Sequence, residues 1–260
     1  MFGERLLSSI VFAPLVSLAF YFGNPYFGVL ILVAALLASY EYRNIMSRAG
    51  VPVHLAFIPV TAAVAMAALV VPSSFVTALS GGVILILSVA LLTSGTATSA
   101  MFSLSGVVYI GGLFGSLFFL RSGPDGRSWA LFTLLVTWVT DVGAYLGGMA
   151  LGKHKLAPKI SPGKSWEGAI CGAVAAALTG GALSTAFGIQ VGYGIAGGAF
   201  LGVIGELGDL VESSLKRFGN LKDSGKFLPG HGGVLDRFDS LLFTGAGGLL
   251  LKTLYSTLFP

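Results

Sequence analysis

The stretch "LGVIGELGDLVESSLKR", residues 201–217, is apolar enough to lie in a membrane and yet carries three carboxylates, Glu206, Asp209 and Glu212. The apolar run that contains them, about residues 190–214, reaches the ~20 residues a helix needs to span a hydrocarbon core. An ionised acid at mid-membrane costs roughly 2.5–3.5 kcal/mol on insertion scales, so it survives there chiefly by facing a polar interior. Spacing of three residues places these acids in a narrow stripe on one side of a helix. The stretch therefore reads as one helix of a membrane bundle with its stripe turned to a polar cavity. For Glu212 a second reading stands beside this one: an acid at the helix end, paired with Lys216 and Arg217 at the interface.

The rest of the chain agrees. Of its 260 residues, 55% are hydrophobic and 10% are charged. A soluble domain carries about 25% charged residues, so this chain cannot furnish the polar coat of a soluble core. The expected fold class is all-α, a polytopic integral membrane helical bundle with about nine transmembrane helices. Apolar runs lie near residues 6–22, 25–41, 53–71, 75–92, 99–120, 129–150, 167–188, 190–214 and 239–258. The first run leads into further membrane-length runs and is read as a span rather than a cleaved leader. The single cysteine, Cys171, excludes an intrachain disulfide and sits in an Ala/Gly-rich run, where a small packing residue suits it. Glycines recur four apart at Gly143/Gly147, Gly168/Gly172 and Gly198/Gly202, a spacing that lets helix backbones approach closely. Residues 1–128 are expected to form a scaffold, and residues 129–260 to carry the site.

Alternation of nine spans sorts the cations unevenly. Twelve fall on one side: Arg5, Arg43, Arg48, Lys153, Lys155, Lys159, Lys164, Lys216, Arg217, Lys222, Lys226 and Arg237. Arg121 and Arg127 fall on the other, with Lys252 inside the last span toward that end. The positive-inside bias then makes the N-terminus and both basic loops cytoplasmic and the C-terminus external.

Charge also collects where it is expensive. Asp141 lies inside the apolar run "VTWVTDVGAYLGG". Asp236 and Asp239, in "DRFD", open the last span, and their spacing of three puts them on one helix face. A helix macrodipole favours acids in a first turn, which is the plainer explanation of that pair. An acid stripe and an acid pair on two helices, joined by one loop, is nevertheless the oxygen set a hard dication such as Mg²⁺ takes together with substrate phosphates. The loop "GKHKLAPKISPGKSWEG" (residues 152–168) and the stretch from Lys216 to Arg237 hold nine Lys/Arg. Attraction to anionic lipid accounts for Lys153, Lys155 and Lys159. Lys164 and Arg237 sit in tight Pro-Gly and Gly-Gly turns, and glycine-rich turns let backbone N–H groups converge on phosphate oxygens.

Two motif readings are ruled out, and two rival functions stay open. "PGKS" at residues 162–165 is not a P-loop, because position 158 is proline where the motif needs glycine. Zinc is excluded by the wide separation of His54, His154 and His231. A transporter of a phosphorylated solute would need charge on both halves of the bundle or an inverted repeat, and neither is seen. A kinase acting on a lipid alcohol would need a group that activates a neutral hydroxyl.

From Ser213 to Asp239, "SSLKRFGNLKDSGKFLPGHGGVLDRFD" closely resembles the signature of the phosphatidate cytidylyltransferases, or CDP-diacylglycerol synthases. The matching residues are Ser213, Lys216, Arg217, Lys222, Asp223, His231, Gly232, Gly233, Asp236, Arg237 and Asp239. "TDVGAYLGG" and the loop at residues 152–168 are also similar to that family. Before residue 138 the likeness is one of hydropathy. The resemblance implies condensation of CTP with phosphatidic acid to CDP-diacylglycerol and pyrophosphate, in phospholipid biosynthesis at the inner (plasma) membrane. It implies Mg²⁺, alone or with a second cation, a homodimer, a cavity open to the cytoplasm, and no nucleic-acid partner. In the residues of this chain it implies a metal centre at Asp209 and Asp236, with Asp141 and Asp239 as further ligands. It implies catalytic roles for Asp209, Asp236, Lys222, Arg237 and His231. Substrate contacts are implied for Ser161, Lys164, Lys216, Arg217, Asp223, Gly232 and Gly233; Lys216 and Arg217 also read as membrane-surface anchors, and His231 as a loop-shaping hydrogen-bond donor. Phosphatidate brings about two negative charges and CTP about four, which explains why a charge-poor chain concentrates its charge in so short a stretch.

Overall fold

A computed structural model describes residues 2–225, 227 and 232–259, with the backbone alone for residues 2–11 and 72. The chain is built from helices: α1 (Phe2–Phe22), α2 (Tyr26–Arg48), α3 (Phe57–Val70), α4 (Phe75–Ser94), α5 (Ala97–Gly106) and α6 (Leu113–Arg121). They continue with α7 (Gly126–Leu151), α8 (Trp166–Ser184), α9 (Val191–Phe218) and α10 (Leu235–Leu258). A π-helical turn at Val107–Gly112 joins α5 to α6 in one rod. Each of the nine expected spans coincides with a helix or with this rod, so the protein is an all-α polytopic membrane protein. Among the described residues, seven helical segments are long and apolar enough to cross a membrane; Phe12–Phe22 and α3 are the shorter apolar ones. At 14 residues, α3 is about 21 Å long, short of a ~30 Å core.

Two details depart from the expected spans. Helix α2 runs past residue 41 to Arg48, so Arg43 and Arg48 are helical rather than in a loop. The basic loop between α7 and α8 holds an antiparallel hairpin, β1 (Lys155–Ala157) with β2 (Ser161–Ser165).

The chain divides into two compact units, residues 1–123 with 215–238 and residues 124–214 with 239–260. In the first, α3 packs against α2, α4, α5 and α6. Its core is aromatic: Phe20 and Phe27 meet edge to face at 4.9 Å, and Phe27 and Phe118 at 5.6 Å. Such pairs are worth about 0.5–1.5 kcal/mol beyond their buried area. Arg121 donates from Nε to the Phe20 carbonyl (2.9 Å) and from Nη2 to that of Tyr21 (3.1 Å), satisfying orphan acceptors at the end of α1. Phe238, in the first turn of α10, enters this core against Phe114.

In the second unit, α7 and α8 pack along their lengths. The glycine spacing has a direct cause here. A Cβ on Gly143 would meet the Ala175 Cβ at 2.8 Å, and one on Gly168 the Ala144 carbonyl at 2.8 Å. Gly198 and Gly202 bring α9 equally close to α8 at Ala176 and Ala173. Cys171 packs against Gly147 as a small side chain. Thr137 donates to Thr244 Oγ1 (2.7 Å), tying α7 to α10. Trp129, Tyr193 and Tyr255 cluster around the far ends of these helices.

The cation bias fixes an expected orientation. On a cysteine-free background, a cysteine at exposed Leu258 should react with an impermeant maleimide on intact cells, and one at exposed Phe227 only after lysis. The reverse pattern would invert the topology.

Candidate active site

Within the second unit, α9 and α10 touch where the acids are. A Cβ on Gly208 would lie 2.7 Å from the Asp239 carbonyl and 3.0 Å from Phe243 Cβ, so a larger residue would force the helices apart. This contact groups Asp209, Glu212 and Asp239, whose ligand atoms all lie within 4.8 Å of one another. Glu212 is fully buried, which decides its two readings in favour of the polar interior. Ser213 donates to Asp209 Oδ1 (3.1 Å), and the Ser240 N–H to Asp239 Oδ1 (2.7 Å). The Ser240 hydroxyl reaches Asp141 Oδ1 of α7 at 3.4 Å.

The hairpin supplies a cation. Lys164, on β2, donates to Glu206 Oε2 at 2.5 Å and lies 2.9 Å from Asp209 Oδ2. Its side chain is 18% exposed. Burial alone would lower the pKa of this ammonium, but Asp209 and then Glu206 outweigh it and leave it raised. Asp141 lies within electrostatic reach of Asp209, Glu206 and Lys164, and Asp239 within reach of Asp209, Glu212 and Asp141. Ser161 begins the same strand and is half-buried. At the hairpin base Glu167 accepts from the Lys153 and His154 N–H groups and meets His154 Nδ1 at 2.6 Å.

Within the first unit, the end of α9 and the loop before α10 form a second polar centre. Asp236 Oδ1 accepts from Lys216 Nζ (2.6 Å), and Oδ2 from the Gly233 N–H (2.7 Å) and the Ser224 N–H (2.9 Å). Gly232 has φ +83, a left-handed conformation that side chains rarely adopt, and a Cβ there would meet Asp236 Oδ2 at 2.5 Å. Arg217 donates to the Leu221 carbonyl (2.6 Å), closing the turn after α9. Lys222 and Asp223 help line an open cleft of about 510 Å³ with Asn44, Ser47 and Arg48 of α2. Arg237 is exposed in the first turn of α10. His231 lies outside the described residues.

Of the expected metal ligands, Asp209 and Asp239 fall in one group, and the structure adds Glu212 to them. Asp141 lies beside that group through Ser240. Asp236 is engaged by Lys216, Ser224 and Gly233. Sequence reasoning named Glu206 in the stripe without a partner for it, and passed over Glu41 and Ser224. The only available signal for Glu41 was a lone acid at the end of an apolar run.

A family model described as the cytidylyltransferase family matches residues 3–254. The chain belongs to that family. It is 43% identical over 146 residues to a protein of Staphylococcus haemolyticus named phosphatidate cytidylyltransferase, and 44% identical over the same length to one of Staphylococcus aureus with that name. Staphylococcus saprophyticus has a third at 42%. Each match covers 55% of this chain and 55% of the relative, so the chain spans about half the length of the curated relatives it matches.

The raised pKa of Lys164 sets a pH window. A cation stabilised in the folded state contributes fully below its unfolded pKa, and the contribution is lost as pH rises through the higher folded one. Lys164→Met should therefore lower Tm by an amount that stays constant between about pH 6 and about pH 9, shrinking only in the alkaline range beyond ordinary lysine values. Thermal unfolding in detergent across that range checks this; a gap that closes near neutrality would contradict the pairing.

Proposed function

We propose that this chain transfers the cytidylyl group of CTP to phosphatidic acid, forming CDP-diacylglycerol and pyrophosphate at the cytoplasmic face of the inner (plasma) membrane. The observation that carries the reading is the cluster of Asp209, fully buried Glu212 and Asp239 beside Lys164 in a cytidylyltransferase-family chain. The relatives named phosphatidate cytidylyltransferase support the same substrates.

A phosphatidate oxygen attacks the α-phosphorus of CTP. The bond to the β-phosphate breaks, and pyrophosphate leaves with the bonding pair. The attacking phosphate is already ionised, so no strong general base is required, and catalysis rests on positioning and charge stabilisation. Three carboxylates within 4.8 Å suit a hard dication in donor chemistry. Asp209, Glu212 and Asp239 would hold Mg²⁺, with Asp141 beside them; Asp236, one turn before Asp239 on α10, is the further ligand the family likeness supplies. Bound there, the metal would withdraw charge from triphosphate oxygens. Lys164 neutralises the acid group and is a proposed phosphate contact, with Lys222, Arg237 and His231. Lys216 and Arg217 hold Asp236 and the turn at Leu221, and Ser161, Asp223, Gly232 and Gly233 shape the substrate site. Residues 1–128 serve as scaffold and homodimer surface, and residues 129–260 carry the chemistry.

Purified protein in detergent, given CTP labelled at the α-phosphate and phosphatidate, should yield labelled CDP-lipid and unlabelled pyrophosphate. EDTA should abolish this, and Mg²⁺ restore it. Asp209→Asn and Asp236→Asn should each lower kcat by at least about 100-fold, roughly 2.7 kcal/mol, while the protein stays folded. CDP with a newly phosphorylated lipid would replace the reading by a kinase, and near wild-type rates in both variants would remove the acids from the mechanism.

A further inference from the structure

Glu41 belongs to α2, far in sequence from the signature, and it is 4% exposed. Its carboxylate is engaged by the loop ahead of α10. Oε1 accepts from the Val234 N–H (2.8 Å) and Oε2 from the Leu235 N–H (2.8 Å). These are N–H groups at the start of α10, which lack intrahelical acceptors and sit where the macrodipole favours a negative charge. The Ser224 hydroxyl lies 2.8 Å from Glu41 Oε2 and 2.9 Å from Asp236 Oδ2, within hydrogen-bond reach of both acids. The backbone closes tightly around the same group. A Cβ on Gly225 would come 2.6 Å from Glu41 Oε1, and one on Gly233 would come 2.5 Å from both carboxylate oxygens. Glycine is thus required on either side of the loop because a buried carboxylate fills the space a side chain would take.

Most helix N-termini are capped by a neighbouring Ser, Thr, Asp or Asn. Here the acceptor comes from 194 residues away, at the cost of burying an acid. Asp236, local to the helix, already accepts from Ser224 and Gly233; Glu41 adds the acceptors for the first N–H groups of α10 and a second one for the Ser224 hydroxyl. Glu41 holds both ends of the segment between Ser224 and Leu235, and with them the adjacent Lys222 and Asp223 on the cleft wall.

We infer that Glu41 is a positioning residue for the transfer, fixing the loop that presents Lys222 and Asp223 to the cleft and keeping Asp236 in place. This rests on the reaction proposed above.

The test uses the full-length protein in detergent. Glu41→Gln keeps the shape but turns an amide donor toward backbone donors. Its KM for CTP should rise at least about tenfold with Tm changed by only a few degrees, and trypsin should cut after Lys222 at least about tenfold faster, read by mass spectrometry. Ser224→Ala should shift both readouts in the same direction by less, and the double variant should show less than the summed effect. Should Glu41→Gln not fold, Ser224→Ala alone decides: unchanged cleavage and KM would overturn the inference. So would a Glu41→Gln protein with lower Tm but wild-type KM and cleavage, which would make Glu41 a stability element only. If wild-type protein does not turn over CTP with phosphatidate, the reaction fails, yet the cleavage arm still reports whether Glu41 holds the loop.

Discussion

Burying carboxylates in an apolar bundle is the constraint around which the second unit is arranged. Asp209, Glu212 and Asp239 converge because Gly208 lets α9 lie against the α10 backbone. Lys164 reaches them because the basic loop folds into a hairpin that ends at α8. Remove the close helix contact and the acids separate; remove the lysine and the carboxyl groups face one another with that counter-charge gone. Either change leaves charge in a low-dielectric setting, where an uncompensated group is costly. The small residues on α7, α8 and α9 belong to the same economy. They draw α7 and α9 against α8, while Thr137 and Ser240 tie α7 to α10.

The first unit solves a related problem by different means. A loop rich in glycine and charge must leave the end of α9 and return as α10. Asp236 gathers Lys216 and two backbone N–H groups, and Glu41 gathers the start of α10. Phe238 then anchors that helix in the aromatic core. Loops that carry function are ordinarily held by a rigid scaffold. In this chain part of the scaffold is a carboxylate from a helix whose own sequence suggests nothing beyond a membrane span.

Hydropathy made the helices legible, since each apolar run of sufficient length became a helix or rod. Four-residue glycine spacing made the tight packing legible. The acid stripe of α9 was legible from its spacing, and Asp209 and Asp239 from the cost of charge inside apolar runs. The Lys164–Glu206 pair was not, because its members lie 42 residues apart and meet only through a hairpin inside a loop. Glu212 stayed ambiguous because an interfacial helix-end acid and a buried ligand have the same local sequence. Glu41 was hidden because two of its partners are backbone N–H groups more than 190 residues away, and backbone donors leave no mark in side-chain identity. The end of α2 was misplaced because a helix that emerges from the apolar layer loses its hydrophobicity before it loses its hydrogen bonds.

A group of acids proposed to hold a cation should bind one without either substrate. Titration of the purified protein with Mn²⁺, followed by electron paramagnetic resonance of the free ion, measures this directly. Wild-type protein should bind Mn²⁺ competitively with Mg²⁺, and Glu212→Gln should weaken binding at least about tenfold while Tm falls by no more than a few degrees. Equal Mn²⁺ affinity in the two proteins, or no saturable binding in either, would contradict a cation site at Asp209, Glu212 and Asp239.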